Sequence, residues 1–509
     1  MTNDSLTSPL LTTEDVLDWG YKGPQANMGS FSRLPSKGRK NVLESELAQT
    51  VPAYMNDDEE ASELLLAETP SPRWQLCVPH VLVATMASIL FGYHLGVVNI
   101  PLGAIAHDLE LTGNTMAQGS VVSACLVGAF AGCSISGMVA ERYGRCRSFQ
   151  LSTMPMILGS ILSATAPNFW IMVAGRLLVG IGLGVAGPVA SLYISEISPT
   201  NVRGTMGSLV QVATCLGILG AIVAALPVRS TPGWWRVCFL IATVPAVLLA
   251  LFMEFCAESP RWLFEKSRWV EAEREFERLW GFAHAKGAMA DLARGEEELG
   301  EAPWSFLWNK RYRKAVFIGS ALFGLQQLSG INAVFYFSSV VFKHAGVQSE
   351  VAASVYMGIV NLAASGVAAF LVDKKGRRYL LLWSFSGMAV AMAMQAAAAG
   401  LKVLAPMQGN LSLLATLSYV FMFAVGAGPV PALLLPEIFA SRIRAKAMSV
   451  AMCVHWIVNF VVGLFFLQLL QQLGASTLYA SFSIVCLMAT VFVMKNVQET
   501  KGRPLEDIK

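Results

Sequence analysis

Charge is scarce in this chain. Asp, Glu, Lys and Arg make up 14% of its 509 residues, against 54% apolar residues. Ordinary soluble domains carry about 25% charged residues, so a water-soluble globular protein of this size is excluded on composition. The few charges nearly cancel, leaving +3. No basic stripe interleaved with aromatics occurs, so nucleic acid is not a partner. Nine cysteines are present, but none falls in a CxxC or a Cys/His ligand spacing. They lie in or beside apolar runs and read as small buried hydrophobes, with no metal and no cofactor implied. No nucleophile–base arrangement is visible either, and the chain does not read as an enzyme.

What is present is a series of apolar stretches near the ~20-residue length that crosses a bilayer. They lie at roughly 78–99, 116–140, 148–166, 169–193, 205–227, 235–256, 315–338, 351–372, 378–400, 411–435, 446–469 and 476–495. This predicts an all-α membrane protein of twelve transmembrane helices in two pseudo-symmetric six-helix bundles. The expected divisions are a disordered cytosolic-side tail (1–73), a first bundle (74–256), a helical intracellular linker (257–314), a second bundle (315–495) and a C-terminal tail (496–509). The first tail is polar and rich in Pro, Ser and Gly, too polar to bury a core. Its Glu60-Ala-Ser-Glu63-Leu64-Leu65 has the form of an acidic dileucine sorting signal. A chance match in a polar tail accounts for it equally well. In the linker, Trp269–Trp280 has helical periodicity with mixed charges and reads as a surface helix.

Basic residues set the orientation. Arg142, Arg145, Arg147, Arg203, Lys374, Lys375, Arg377, Arg378, Arg442, Arg444 and Lys446 all fall in even-numbered loops. Odd-numbered connections hold Arg229, Arg236, Lys343 and Lys402. The positive-inside rule puts both termini and the linker on the cytosol-like side.

The two halves repeat. Glu141-Arg142-Tyr-Gly144-Arg145 returns as Asp373-Lys-Lys-Gly376-Arg377, 232 positions later (376 − 144). Glu196…Arg203 returns as Glu437…Arg444, and Glu258-Ser-Pro as Glu499-Thr-Lys, each 241 later (437 − 196, 499 − 258). Three acidic-to-basic patterns in order on one side argue for duplication. They also suggest a latch, in which ion pairs hold the bundles together on the cytosolic side while a central cavity opens to the other.

The stretch 322–338, LFGLQQLSGINAVFYFS, stands apart. Gln326, Gln327, Ser329, Asn332 and Tyr336 interrupt an otherwise apolar span, and in hydrocarbon each polar group needs a partner. One such amide is ordinarily helix–helix glue; three around a Ser-Gly pair point to a site. Amides are neutral and both donate and accept, which suits a ligand made of hydroxyls. On an unbroken helix Asn332 lies well round from Gln326, so the three converge only if the span breaks near Gly330.

These motifs resemble the sugar porter family of the major facilitator superfamily. The likeness covers about residues 75–505 and rests on the paired Gly-Arg loops, Gly175-Arg176, Glu258-Ser-Pro-Arg261-Trp262, Gln326-Gln327-Leu-Ser-Gly-Ile-Asn332 and Glu499-Thr-Lys-Gly502. Phe91–Asn99 and Gly426–Arg442 are closer still to the plastidic glucose translocators of plants. The resemblance implies the major facilitator fold and a hexose, glucose foremost, moved by alternating access in a lipid-embedded monomer. It also implies ligand contacts from Gln211, Gln326, Gln327, Asn332, Tyr336, Asn361 and Trp456, with His94 and His455 as proton or substrate contacts. The latch residues would be Arg142, Arg145, Arg176, Glu196, Arg203, Glu258, Arg261, Arg377, Glu437, Arg444 and Glu499. A bending gate in the tenth span would use Gly428, Pro429 and Pro431. The chain departs from animal-type glucose facilitators at Ala432, where they carry Trp, and at His455, where they carry Asn.

Proton-coupled relatives carry Asp where this chain has His94, and the spans hold almost no acid. Facilitated diffusion is therefore the expectation, with proton symport the alternative because histidine titrates near neutral pH. A sugar receptor that binds without transport is a third reading. For location, the likeness implies a plastid envelope, while the acid-bearing N-terminus suits an endomembrane such as Golgi or vacuole. Asn410-Leu-Ser412, a glycosylation sequon on the non-cytosolic face, discriminates between them.

Overall fold

The computed structural model describes residues 72–297, 303–439 and 443–499, and every regular element among them is helical. The tail to residue 71 with its sorting-signal match, Arg442, and Thr500-Lys501-Gly502 lie outside the described residues. The spans are carried by α1 (Val78–Gly96), α2 (Thr115–Tyr143), α3 (Arg145–Ala164), α4 (Phe169–Ile197), α5 (Arg203–Ala225) and α6 (Trp234–Met253). In the second half come α7 (Arg313–Leu328), α8 (Ile331–His344), α9 (Glu350–Lys375), α10 (Arg377–Gly400), α11 (Gln408–Met422), α12 (Val430–Ile438), α13 (Arg444–Leu473) and α14 (Ala475–Asn496). α7 with α8 form the seventh span, and α11 with α12 the tenth.

Ten segments among the described residues are long and apolar enough to cross a membrane. The other two spans depart from that pattern for different reasons. α3 has 20 residues but is rich in hydroxyls, and Ser148, Ser152, Thr153, Ser160 and Ser163 are all buried. Three of them turn back on their own helix, donating to the carbonyls of Gly144, Phe149 and Gln150 at 2.5, 2.7 and 2.7 Å. That satisfies them without water. The seventh span is cut into pieces of 16 and 14 residues, each too short to cross alone.

Side-chain caps fix where several spans begin. Asn114, Asn168 and Ser349 accept from the backbone N–H groups of Ala117, Ile171 and Ala352 at 3.0, 3.1 and 3.3 Å, satisfying donors that a helix start leaves open. α2 and α4 pack backbone to backbone. A Cβ on Gly128, Gly132, Gly180 or Gly184 would strike a carbonyl of the facing helix. Small residues four apart allow this approach where no hydrophobic force between helices exists.

The linker helix Trp269–Trp280 buries Ala272, Phe276 and Leu279, one face at helical spacing. Its Trp280 Nε1 donates to the Ile197 carbonyl at 2.8 Å, which seats it under α4.

The halves meet along α2 with α13, α5 with α9, and α1 with α8. Gly119 abuts Leu464, and Leu219 abuts Gly358. Asn99, just past α1, donates from Nδ2 to Ser338 Oγ at 2.7 Å, accepts from Ser339 N–H at 3.0 Å on Oδ1, and takes the Ser339 hydroxyl on its carbonyl at 2.6 Å. Arg229 pairs with Glu350 at 2.9 Å. In the orientation expected from the basic loops, these four contacts lie in the non-cytosolic half.

Candidate functional site

The seventh span stops at Leu328 and restarts at Ile331. Gly330 between them has φ +89°, a left-handed conformation that costs any residue with a Cβ. A Cβ there would also meet the Phe482 ring at 2.8 Å. The break swings Asn332 back towards α7, so that its Nδ2 donates to Gln327 Oε1 at 2.5 Å.

The tenth span is interrupted as well. After α11 comes a π-helical turn, Phe423–Ala427, and α12 begins only beyond Gly428-Pro429. Pro431 has no N–H to offer the carbonyl of Ala427 four residues back, so that carbonyl needs another donor. Gln326 supplies it, donating from Nε2 to Ala427 O at 2.5 Å and to Gly428 O at 3.2 Å.

Those two carbonyls fix the polarity of a whole chain of hydrogen bonds, because a carbonyl can only accept. Gln326 must point its nitrogen at them and leave Oε1 as an acceptor. Gln327 Nε2 donates to that oxygen at 3.3 Å and also reaches His455 Nδ1 at 3.1 Å. Gln327 Oε1 then accepts from Asn332. On this assignment His455 Nδ1 holds a lone pair and its ring hydrogen sits on Nε2. The chain therefore ends in an acceptor at Asn332 Oδ1 and a donor at His455 Nε2. Beside them Trp456 Nε1 is buried with no hydrogen-bond partner among the described residues. Trp456 packs edge-on against Phe91 of α1, centroids 6.0 Å apart. A donor, an acceptor and an unpaired indole N–H, all neutral, match hydroxyls in both their roles.

Two further sequence-predicted residues meet each other across the halves, at a shared cysteine. Gln211 of α5 and Asn361 of α9 both donate to Cys215 Sγ, at 3.5 and 3.2 Å. Tyr336 is buried and donates to Asn459 Oδ1 at 3.4 Å. His94 is not with the amides. It faces α3 inside the first half, with Nε2 3.5 Å from Ser160 Oγ. The sequence reading missed Asn459 and Cys215. Asn459 could have been found from its spacing, one helical turn beyond His455 on the same face of α13.

On the cytosolic side two charged nests repeat each other. Glu196 takes Arg145 bidentately, from Nε at 2.8 Å and Nη2 at 2.7 Å. Arg145 Nη1 donates to Ala140 O at 3.2 Å, and Glu258 accepts the Arg145 backbone N–H at 2.9 Å. In the second half Arg377 donates to Glu437 Oε1 at 3.3 and 3.1 Å, to Val372 O at 3.2 Å, and from its backbone N–H to Glu499 at 2.9 Å. The glycines before the two arginines, Gly144 and Gly376, have φ +88° and +89° and lie against Glu258 and Glu499. Burial pushes the Glu258 carboxyl up, opposed chiefly by the backbone N–H groups of Ser259, Arg145 and Cys146.

Several expected latch members stand elsewhere. These bonds of Arg145, Glu196 and Glu258 stay within the first half, tying the third span to the ends of the fourth and sixth. Arg176 lies seven residues into α4 from its non-cytosolic start, about 10 Å deep. It is buried and donates to the carbonyls of Val121 and His94 at 3.4 and 3.1 Å, with no carboxylate beside it among the described residues. Arg142 is exposed over the Tyr143 ring, and Arg261 pairs with Glu265 at 3.2 Å. Arg203 is exposed at the start of α5. Arg444 Nε donates to Phe439 O at 3.3 Å.

The family described as "Sugar (and other) transporter" matches residues 80–509. The chain is 54% identical over 446 residues to a probable plastidic glucose transporter 2 of Arabidopsis thaliana, covering 87% of this chain and 90% of that protein. It is 50% identical over 482 residues to a probable plastidic glucose transporter 3 of the same plant, covering 94% and 95%. Among solved structures, the inward-open conformation of the xylose transporter XylE from E. coli matches with a TM-score of 0.74 at 26% identity, over 84% of this chain and 98% of that one.

Proposed function

The chain belongs to the sugar transporter family, and on that premise we propose that it carries a hexose, glucose foremost, down its gradient across a plastid envelope membrane. It would do so as a lipid-embedded monomer, by rocking of the bundles 74–256 and 315–495 on the linker 257–314. The names of its plant relatives support both the cargo and the location. The observation that carries the reading is the neutral, polarity-fixed chain Asn332–Gln327–Gln326 at the break of the seventh span, ending in His455 and flanked by Trp456.

Gln327, Asn332, His455 and Trp456 hold sugar hydroxyls, and the indole face covers the apolar side of the ring. Gln211 and Asn361 join when their bonds to Cys215 are exchanged for bonds to sugar. Because the amides bond one another, exchanging those bonds for sugar hydroxyls gains only the difference. That suits a transporter: a millimolar dissociation constant corresponds to about −4 kcal/mol and allows release. The nests around Arg145 and Arg377 stiffen the cytosolic ends of the two bundles while the halves are joined at the opposite end.

Counterflow in proteoliposomes with a panel of sugars at two pH values tests this. Glucose should exchange, and Gln327→Leu with Asn332→Leu should abolish exchange; unchanged flux in that variant refutes the site. Proton symport is the second reading, its candidate carrier being His94, whose Nδ1 is buried with no hydrogen-bond partner among the described residues. Sugar-driven alkalinisation that vanishes in His94→Asn would establish it in place of facilitated diffusion.

A further inference from the structure

We propose that the breaks in the seventh and tenth spans are spliced to each other and move as one unit, with Tyr419 as the positioning residue that completes the splice. Each break exposes a carbonyl, and in each case the donor comes from the other broken span. At the tenth-span break, Ala427 and Gly428 take the Gln326 amide of α7. At the seventh-span break, the Ser329 carbonyl takes the hydroxyl of Tyr419 from α11 at 2.8 Å, with Ser329 Oγ 3.2 Å away. Tyr419 is fully buried, so no water competes for its hydroxyl. The arrangement is reciprocal: neither span can straighten or bend without leaving a buried acceptor of the other unpaired.

A third group seals the unit. Ser384 of α10 accepts from Ala427 N–H at 2.8 Å and donates to Met422 O at 2.7 Å, holding the two ends of the π-helical turn. Tyr419 and Ser384 touch none of the residues assigned to sugar except through the breaks. Their effect on sugar passes through Gln326, whose orientation sets that of Gln327 and Asn332. Pulling the tenth span away would release Gln326 and scramble the polarity of the amide chain. The site's chemistry is thereby tied to the position of the tenth span.

The test uses Tyr419→Phe and Ser384→Ala in the full-length protein. Hydrogen exchange by mass spectrometry is followed in two peptides, one over 326–336 and one over 421–433. Splicing predicts that each substitution speeds exchange in both peptides, including the one on the other span. Acceleration confined to the peptide next to the substituted contact, or none at all, overturns the proposal. The kinetic arm rests on the transport reading. Tyr419→Phe should raise the sugar KM about threefold to tenfold, the worth of one hydrogen bond, with Vmax within about twofold of wild type. A fall in Vmax alone, at constant KM, counts against positioning. If the wild-type protein moves no sugar, the transport reading fails while the exchange arm still decides the splice.

Discussion

Replacing Glu196 by Gln should cost far more stability than the equivalent change at Glu437, although the two carboxylates are repeats of each other. The Arg145–Glu196 pair is bidentate, and both side chains are only 5% exposed. Arg377 reaches Glu437 Oε1 at 3.1 Å, with side chains 17% and 29% exposed. Breaking a buried pair leaves the other charge without compensation, which costs about 3–5 kcal/mol when burial is complete. Gln keeps one acceptor for Arg145, and the Ala140 carbonyl remains at 3.2 Å, so about 2–3 kcal/mol is the expectation for Glu196→Gln. The half-wet second pair is worth about 1 kcal/mol or less. At roughly 2–4 °C per kcal/mol for a large domain, the melting temperature should fall by roughly 4–12 °C in the first variant and 4 °C at most in the second. Tryptophan fluorescence of the purified proteins in detergent reads both. Equal shifts, or a larger one for Glu437→Gln, would refute the reasoning that water access sets the strength of each nest. Glu196→Gln together with a further variant, Arg444→Ala, tests the latch: if both leave flux and its inside/outside asymmetry unchanged, the nests only stabilise.

Gly330→Ala should lower the melting temperature and cut uptake at least about tenfold, since a Cβ at φ +89° is strained and meets the Phe482 ring at 2.8 Å. Wild-type uptake in that variant would mean that the break is not needed. His455→Asn replaces the imidazole and its ring donor by a shorter amide; the ratio of glucose to competing hexoses in counterflow should shift about tenfold, and an unchanged panel would remove His455 from the site. Burial raises the Glu258 carboxyl, so the folded protein holds that proton more tightly than the unfolded chain. Stability from this group is highest at acid pH and declines as pH rises through the raised pKa. Glu258→Gln abolishes that titration, and the gap in melting temperature between wild type and variant should change as pH rises above the ordinary glutamate value of about 4.3. A constant gap rules the assignment out.

The plan of the fold was legible because hydrocarbon sets span length and because the 232- and 241-residue offsets betray duplication. The seventh-span break was legible too, since Gln326, Gln327 and Asn332 converge only across a bend. What Gln326 bonds to was not legible. Its partner carbonyls lie 101 and 102 residues away, and the one local sign is Pro431, whose missing N–H marks Ala427 as an open acceptor. Tyr419 was hidden for the same reason, as a lone tyrosine in an apolar run. Arg176 was expected in the cytosolic charge latch through the family resemblance, yet it sits near the opposite end of its span. Its depth along α4 and the absence of a neighbouring carboxylate appear only when the helices are packed. His94 and His455 read alike as isolated histidines, yet one faces α3 and the other ends the amide chain.

The amide chain also has an electrical consequence. Gln326, Gln327, Asn332 and Trp456 bear no charge, and neither does a sugar. Shifting one elementary charge through 100 mV costs about 2.3 kcal/mol, a toll that such a pocket never meets. Under the facilitated diffusion proposed above, net turnover through it is silent to a voltage clamp and its direction follows the concentrations on the two sides, whereas a sugar-evoked current would select proton symport.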